Sequence, residues 1–196
     1  MTDFETVHAR PLPRRPENGL LAWQATLGYI SVRYSLDAML TVQVRPLEEG
    51  KLGWTTKASW GRYAEEVRDC PALPAALRKL WTEVENNNII FETPEAISRR
   101  PVLYGDDEWL DAETQLTLDR LIQLNWAAFK TDWTLLIVYQ PVELPGARMQ
   151  ARLLAQDNSV QISGRGATMR AACHDLYRNA ARSYSANTGK PLDLEF

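Results

Sequence analysis

The sequence predicts an α+β fold made of two related units, each with three antiparallel strands followed by a helix. An apolar run that ends in proline and glutamate occurs twice, at residues 41–48 and 136–143. A helical apolar pattern also recurs, at residues 73–84 and 169–180. The two matches differ by one residue in register, which a single insertion in a turn explains. Short turns between the strand-like runs favour antiparallel pairing.

Residues 1–18 are predicted to be a poorly ordered arm, because Pro11, Pro13 and Pro16 disfavour both helix and sheet hydrogen bonds. The first unit is predicted over residues 19–92. A helix over 72–85 closes it, since leucines recur there at helical spacing. Strands are expected where apolar residues alternate with polar or small ones. These are Ile30–Leu36, Met39–Arg45 and Trp54–Trp60, with Tyr63–Val67 extending or following the third, and a short strand at Ile89–Glu92.

The second unit is predicted over residues 111–184, after an acidic connector at 93–110. Asp111 is a suitable N-cap for a helix over 112–129. Three strands and a final helix complete the unit, at 133–139, 148–156, 160–163 and 167–183. Residues 185–196 are expected to form a loose tail.

The composition is that of a soluble globular protein, with 45% hydrophobic and 24% charged residues. The acidic start, Met1–Glu5, lacks the basic and apolar regions of a signal peptide. The longest strongly apolar run, 135–139, is too short to span a bilayer. We therefore expect a cytoplasmic protein with no membrane partner. In a reducing compartment Cys70 and Cys173 are expected to be buried thiols, and no cofactor is predicted.

Charge is unevenly distributed, although the net charge is only −3. Residues 81–119 contain ten acidic and two basic side chains, whereas residues 147–190 contain seven basic and two acidic ones. Such segregation informs on partners rather than on fold. We expect a non-catalytic interaction or adaptor protein. Its acidic middle and basic end would engage different protein surfaces, or each other's copies in a homo-oligomer.

A glycine-containing turn between the last predicted strand and the last helix forms a candidate site. Gly164, Arg165, Gly166 and Thr168 bring backbone N–H groups, a charge and a hydroxyl to a helix start, where an anion can bind. The alternative is a plain strand-to-helix turn, for which glycine is the default residue. Met169 stands where a dinucleotide-binding fingerprint needs its third glycine, which argues against that cofactor.

Four side chains spaced four residues apart form a basic stripe on the last predicted helix: Arg170, His174, Arg178 and Arg182. With Arg165 at the helix start, the stripe is suited to follow a phosphate backbone. In topology, residues 111–183 resemble double-stranded-RNA-binding domains. That resemblance implies phosphate contacts from a loop and the start of the last helix, although the lysine cluster of those domains is missing here. Nucleic-acid binding is therefore the alternative to the adaptor role.

A third alternative is an enzyme whose site is assembled from dispersed residues. The sequence contains no nucleophile elbow, kinase signature or HExxH motif, and its only histidines are His8 and His174. Cys173 and His174 are adjacent, so on a helix their side chains diverge by about 100° and are poorly placed to share a metal. No catalytic or metal-binding residue is therefore predicted.

Overall fold

The computed structural model describes residues 19–86, 109–129, 133–155 and 160–188. The predicted arm at 1–18 and the short strand at Ile89–Glu92 lie outside the described residues. So do most of the acidic connector and the part of the predicted tail that follows residue 188.

The described residues form an α+β fold, as predicted, with four helices and one six-stranded antiparallel sheet. The elements in chain order are α1 (Gly19–Tyr34), β1 (Ala38–Pro46), β2 (Leu52–Trp60), β3 (Tyr63–Cys70), α2 (Leu73–Asn86), α3 (Ala112–Phe129), β4 (Thr134–Tyr139), β5 (Met149–Leu154), β6 (Val160–Gly166) and α4 (Met169–Thr188). The strands lie in the order β3-β2-β1-β4-β5-β6.

The two halves of the chain meet at a seam where β1 pairs with β4. Val42 lies opposite Ile137, and both side chains are buried. The flanking pairs are also buried: Leu40 with Tyr139, and Val44 with Leu135. Strands β2 and β3 continue the sheet from β1, whereas β5 and β6 continue it from β4. Both halves therefore share one sheet and one hydrophobic core.

The described helices cover one face of this sheet, as the burial of alternate strand residues shows. One row across all six strands is buried: Val67, Thr56, Val42, Ile137, Ala151 and Gly164. The adjacent row is partly or fully exposed: Glu66, Lys57, Thr41, Val138, Gln150 and Arg165. The Thr56 hydroxyl donates to the Ala76 carbonyl of α2 at 3.1 Å, so the buried row faces the helices. We call the side that carries the exposed row the uncovered face.

The predicted strand at Ile30–Leu36 is wrong, because residues 30–34 belong to α1. Burial in α1 follows helical spacing, with Trp23, Leu27 and Ile30 in the core. The alternation in the sequence was too short to distinguish a strand from the end of a helix. Ser35 then adopts a positive φ of 52°, a conformation that cannot continue the helix. The third strand of the first half is β3, so a helix precedes the strands in both halves.

The core-facing positions predicted for α2 and for α4 are confirmed. Six positions of α2 are buried: Leu73, Ala76, Leu77, Leu80, Trp81 and Val84. The six matched positions of α4 are buried as well: Met169, Ala172, Cys173, Leu176, Tyr177 and Ala180. Both cysteines are buried and free, as expected. Helix α4 continues through Thr188, so the first four residues of the predicted tail are helical.

A tryptophan cluster holds the start of the second half against the first half. The Trp23 and Trp81 rings meet edge-on at 4.9 Å between centroids, and the Trp109 ring lies 6.2 Å from Trp81. The Trp109 carbonyl accepts a hydrogen bond from the Leu20 N–H at 3.1 Å. A Cβ atom on Gly19 would collide with the Trp109 ring, so this close approach requires glycine.

Neighbouring residues of β4 provide a matched test of the sheet orientation. Ile137→Ala is expected to lower the free energy of unfolding by about 2–5 kcal/mol, because it removes buried atoms at the seam. Leu136→Ala, which changes the uncovered face, is expected to lower it by less than about 1 kcal/mol. Urea unfolding monitored by circular dichroism measures both values. Equal losses in the two variants would contradict the assigned faces of β4.

Candidate functional site

The two glycines of the predicted anion site lie on the side of β6 that faces α4. Both are buried, and a Cβ atom on Gly164 would collide with the backbone of Leu176 and Ala172. A Cβ atom on Gly166 would come within 2.6 Å of the Ala172 nitrogen. Close packing of strand and helix backbones therefore explains both glycines.

Thr168 is the N-cap of α4. Its Oγ1 accepts a hydrogen bond from the Ala171 N–H at 3.1 Å, and its carbonyl accepts one from the Ala172 N–H at 3.0 Å. A threonine hydroxyl in this role satisfies one of the backbone donors that the first helical turn leaves without a partner. The hydroxyl predicted to contact an anion is thus engaged within the helix start itself.

Side chains of α4 bind the outer edge of β6. The Arg165 N–H donates to Asp175 Oδ2 at 3.0 Å, and Asn179 Nδ2 donates to the Ser163 carbonyl at 2.8 Å. These two backbone groups would otherwise be available to a further strand. Helix α4 therefore restricts strand addition along this part of the edge.

The structure places the four residues of the basic stripe on the exposed side of α4. Arg170, His174, Arg178 and Arg182 are all exposed. Arg170 forms an ion pair with Glu113 of α3. Arg178 forms one with Asp175 within α4, at 3.4 Å. Carboxylates therefore partly compensate the positive charge of the stripe.

Arg165 does not join that stripe. It lies on the uncovered face, because Gly164 and Gly166 on either side of it face α4. Arg152 of the neighbouring strand β5 lies diagonally across from it on the same face. The expected continuous row from Arg165 along the helix is therefore divided between the two sides of the sheet.

The uncovered face is a surface that the sequence reasoning missed. Its centre consists of partly exposed residues of the two central strands: Met39, Thr41 and Gln43 of β1, and Leu136 and Val138 of β4. The available signal was the apolar run at 135–139. Such a run is typical of a strand buried on both faces, whereas the described helices cover only one face of β4.

Charged residues flank this apolar centre, and most of them are basic. The basic ones are Arg45, Lys57, Arg68, Arg152 and Arg165, and the acidic ones are Glu66 and Asp69. Arg68 donates to Glu66 at 2.8 Å, and this hydrogen bond holds the Glu66 pKa below its usual value. Arg45 pairs with Asp69 at 3.4 Å. Both acidic groups thus already have basic partners.

The described residues contain no group of three or more His, Cys, Asp and Glu side chains placed to hold a metal. Cys173 is fully buried while His174 is exposed, so the two side chains diverge as the helical geometry predicted. Burial raises the Cys173 pKa to about 12. A thiol in this state is a core side chain rather than a nucleophile.

No family model, curated protein or solved structure matches this chain. Among the described helices, none combines the length and the apolar character needed to cross a membrane.

Gly164→Ala tests whether the glycines serve packing. The added methyl group collides with the backbone of α4, so the free energy of unfolding is expected to fall by about 3 kcal/mol. Gly146→Ala is the control, since nothing lies within 4 Å of its Cβ position, and a change within about 0.5 kcal/mol is expected. Urea unfolding measures both. Unchanged stability in Gly164→Ala would remove the packing explanation and favour an anion cradle.

Cys173 is expected to be unreactive in the folded protein. In a Cys70→Ala variant it is the remaining thiol, and it should react with Ellman's reagent at pH 8 only after unfolding in urea. The folded state keeps the Cys173 proton between pH 9.0 and about 12, where the unfolded chain has lost it. The free energy of unfolding should therefore decrease as pH rises through that window. Fast labelling under native conditions would contradict the burial of this thiol.

Proposed function

We propose that this protein is a non-catalytic interaction protein, an adaptor that binds a protein partner through the uncovered face. One observation carries the proposal. Leu136 and Val138 lie at the centre of a sheet face that none of the described helices covers. Contact with a partner would remove this apolar surface from water, which is favourable by roughly 25 cal/mol per Å².

The position of these residues supports binding rather than a solvated surface. An antiparallel sheet with one face in water usually alternates apolar and polar residues along each strand. β2 obeys that rule, with Thr55, Lys57 and Ser59 facing outward. β4 departs from it at the centre of the sheet, where a docked partner would exclude water most completely.

We further infer that the two halves are related copies of one unit and that the protein works in the cytoplasm. Val42 and Ile137 occupy matched positions in the repeated apolar run, and they lie directly opposite each other at the seam. This is the arrangement expected of two similar units joined edge to edge. Two buried free thiols are consistent with a reducing compartment.

A pull-down with matched leucine variants tests the proposed function. The immobilised full chain is incubated with nuclease-treated lysate of the cells that produce it, as wild type, Leu136→Glu and Leu116→Glu. Leu116 is an exposed leucine of α3, so its variant introduces the same charge on the helix side. A protein retained by wild type and Leu116→Glu but lost from Leu136→Glu is expected. A set of captured proteins that does not depend on Leu136 would refute the proposal.

Nucleic-acid binding along α4 is the second candidate. It is favoured by the single exposed row that Arg170, His174, Arg178 and Arg182 form. It ranks second because Arg170 and Arg178 are paired with carboxylates and because Arg165 lies on the other side of the sheet.

A further inference from the structure

We propose that the uncovered face binds an acidic amphipathic helix of the partner protein, lying along β1 and β4. This inference rests on the proposed function and specifies the chemistry of the partner. It follows from the backbone pairing at the centre of the sheet, from the spacing of the flanking strands, and from the sign of their charges.

The backbone of the central strands selects a helix over an extended segment. β1 pairs with β2 on one side and with β4 on the other, and β4 pairs with β1 and β5. The central strands therefore have strand partners on both sides, and an extended peptide laid across them would leave its own backbone groups without partners. A helix satisfies its backbone internally and offers only side chains.

The width of the apolar centre suits one helix. Lys57 of β2 and Arg152 of β5 stand on the two flanks, with β1 and β4 between them. Three strand spacings separate the flanks, which amounts to about 14 Å. A helix with its side chains is about 10–12 Å across, so its apolar stripe can rest on Thr41, Leu136 and Val138. Its two sides then face the basic flanks.

The charges of the flanks select an acidic partner. Strands β4, β5 and β6 contain no acidic residue, so no carboxylate on these strands lies beside Arg152 or Arg165. On the other flank Glu66 and Asp69 are engaged by Arg68 and Arg45. The face thus carries an excess of positive charge on a protein whose net charge is −3. Complementary charge steers a partner and fixes its orientation.

The side chains of this face favour a protein helix over a nucleic acid. Sheet surfaces that bind single strands stack bases on aromatic side chains. Among the described residues, no aromatic side chain occupies an outward position of the six strands. The aliphatic side chains of Met39, Leu136 and Val138 occupy the centre instead, and such groups pack against leucines.

The test uses two labelled 21-residue peptides made of leucine, alanine and one charged residue, with leucines at helical spacing. One peptide carries glutamates beside the leucine stripe, and the other carries lysines. Fluorescence anisotropy against the 196-residue chain is expected to show saturable binding of the glutamate peptide. The lysine peptide should bind at least tenfold more weakly.

Two pairs of variants locate the binding on the uncovered face. Arg152→Glu with Arg165→Glu, and Leu136→Ser with Val138→Ser, should each weaken binding of the glutamate peptide at least tenfold. The matched controls are Arg178→Glu with Arg182→Glu, and Leu116→Ser with Val32→Ser, all at exposed positions on helices. Binding to the controls should stay within twofold of wild type. Circular dichroism and the urea midpoint verify that each variant is folded.

Three results would overturn the inference. The first is equal affinity for both peptides. The second is a loss of glutamate-peptide affinity in the helix-side controls that equals the loss in the uncovered-face variants. The third is displacement of the peptide by single- or double-stranded oligonucleotides that bind the same face. If the glutamate peptide does not bind while the pull-down still depends on Leu136, the partner has different chemistry and the proposed function stands. If the pull-down does not depend on Leu136, the proposed function itself fails.

Discussion

The register of the β1–β4 pair determines the arrangement of the whole sheet. β2 and β3 take their register from β1, and β5 and β6 take theirs from β4. A shift of one residue at the seam would turn one half of the sheet over relative to the other, because successive side chains point to opposite faces. Val42 opposite Ile137 excludes that shift, since slipping either strand would expose a buried side chain. The helices of both halves can then pack on the same face.

The two outer strands close the sheet in different ways. On β6, Asp175 and Asn179 of α4 bind the outward backbone groups of Arg165 and Ser163. On β3, charged side chains are frequent and the pairing with β2 contains an irregularity between Trp54 and Thr56. Charges, bulges and covering groups are the devices by which proteins prevent edge-to-edge association. These edges therefore discourage strand addition.

The sequence predicted those elements whose apolar spacing extends over several turns or strands. The bounds of α3 and the buried positions of α2 and α4 followed from repeated apolar spacing. Spacing that is sustained over several turns fits a helix and does not fit a strand. The segment at 30–36 was misassigned because its four alternating apolar residues are too few to distinguish a strand from the end of a helix. The position of Arg165 could not be deduced, since it depends on the strand continuing to Gly166 rather than ending at Ser163. The uncovered face depends on which elements pair, and pairing is not visible in local spacing.

The uncovered face and the basic stripe of α4 lie on opposite sides of the same sheet, which separates two functional hypotheses physically. A partner bound over Leu136 and Val138 leaves Arg178 and Arg182 exposed, and a ligand bound along α4 leaves the central strands exposed. The apolar centre also lies away from both edges, so it offers no free backbone to another strand. A surface of this kind can contact the side chains of another molecule without offering backbone groups to which a further strand could pair. Leu136 and Val138 are therefore partly exposed on the face while association through the sheet edges stays restricted.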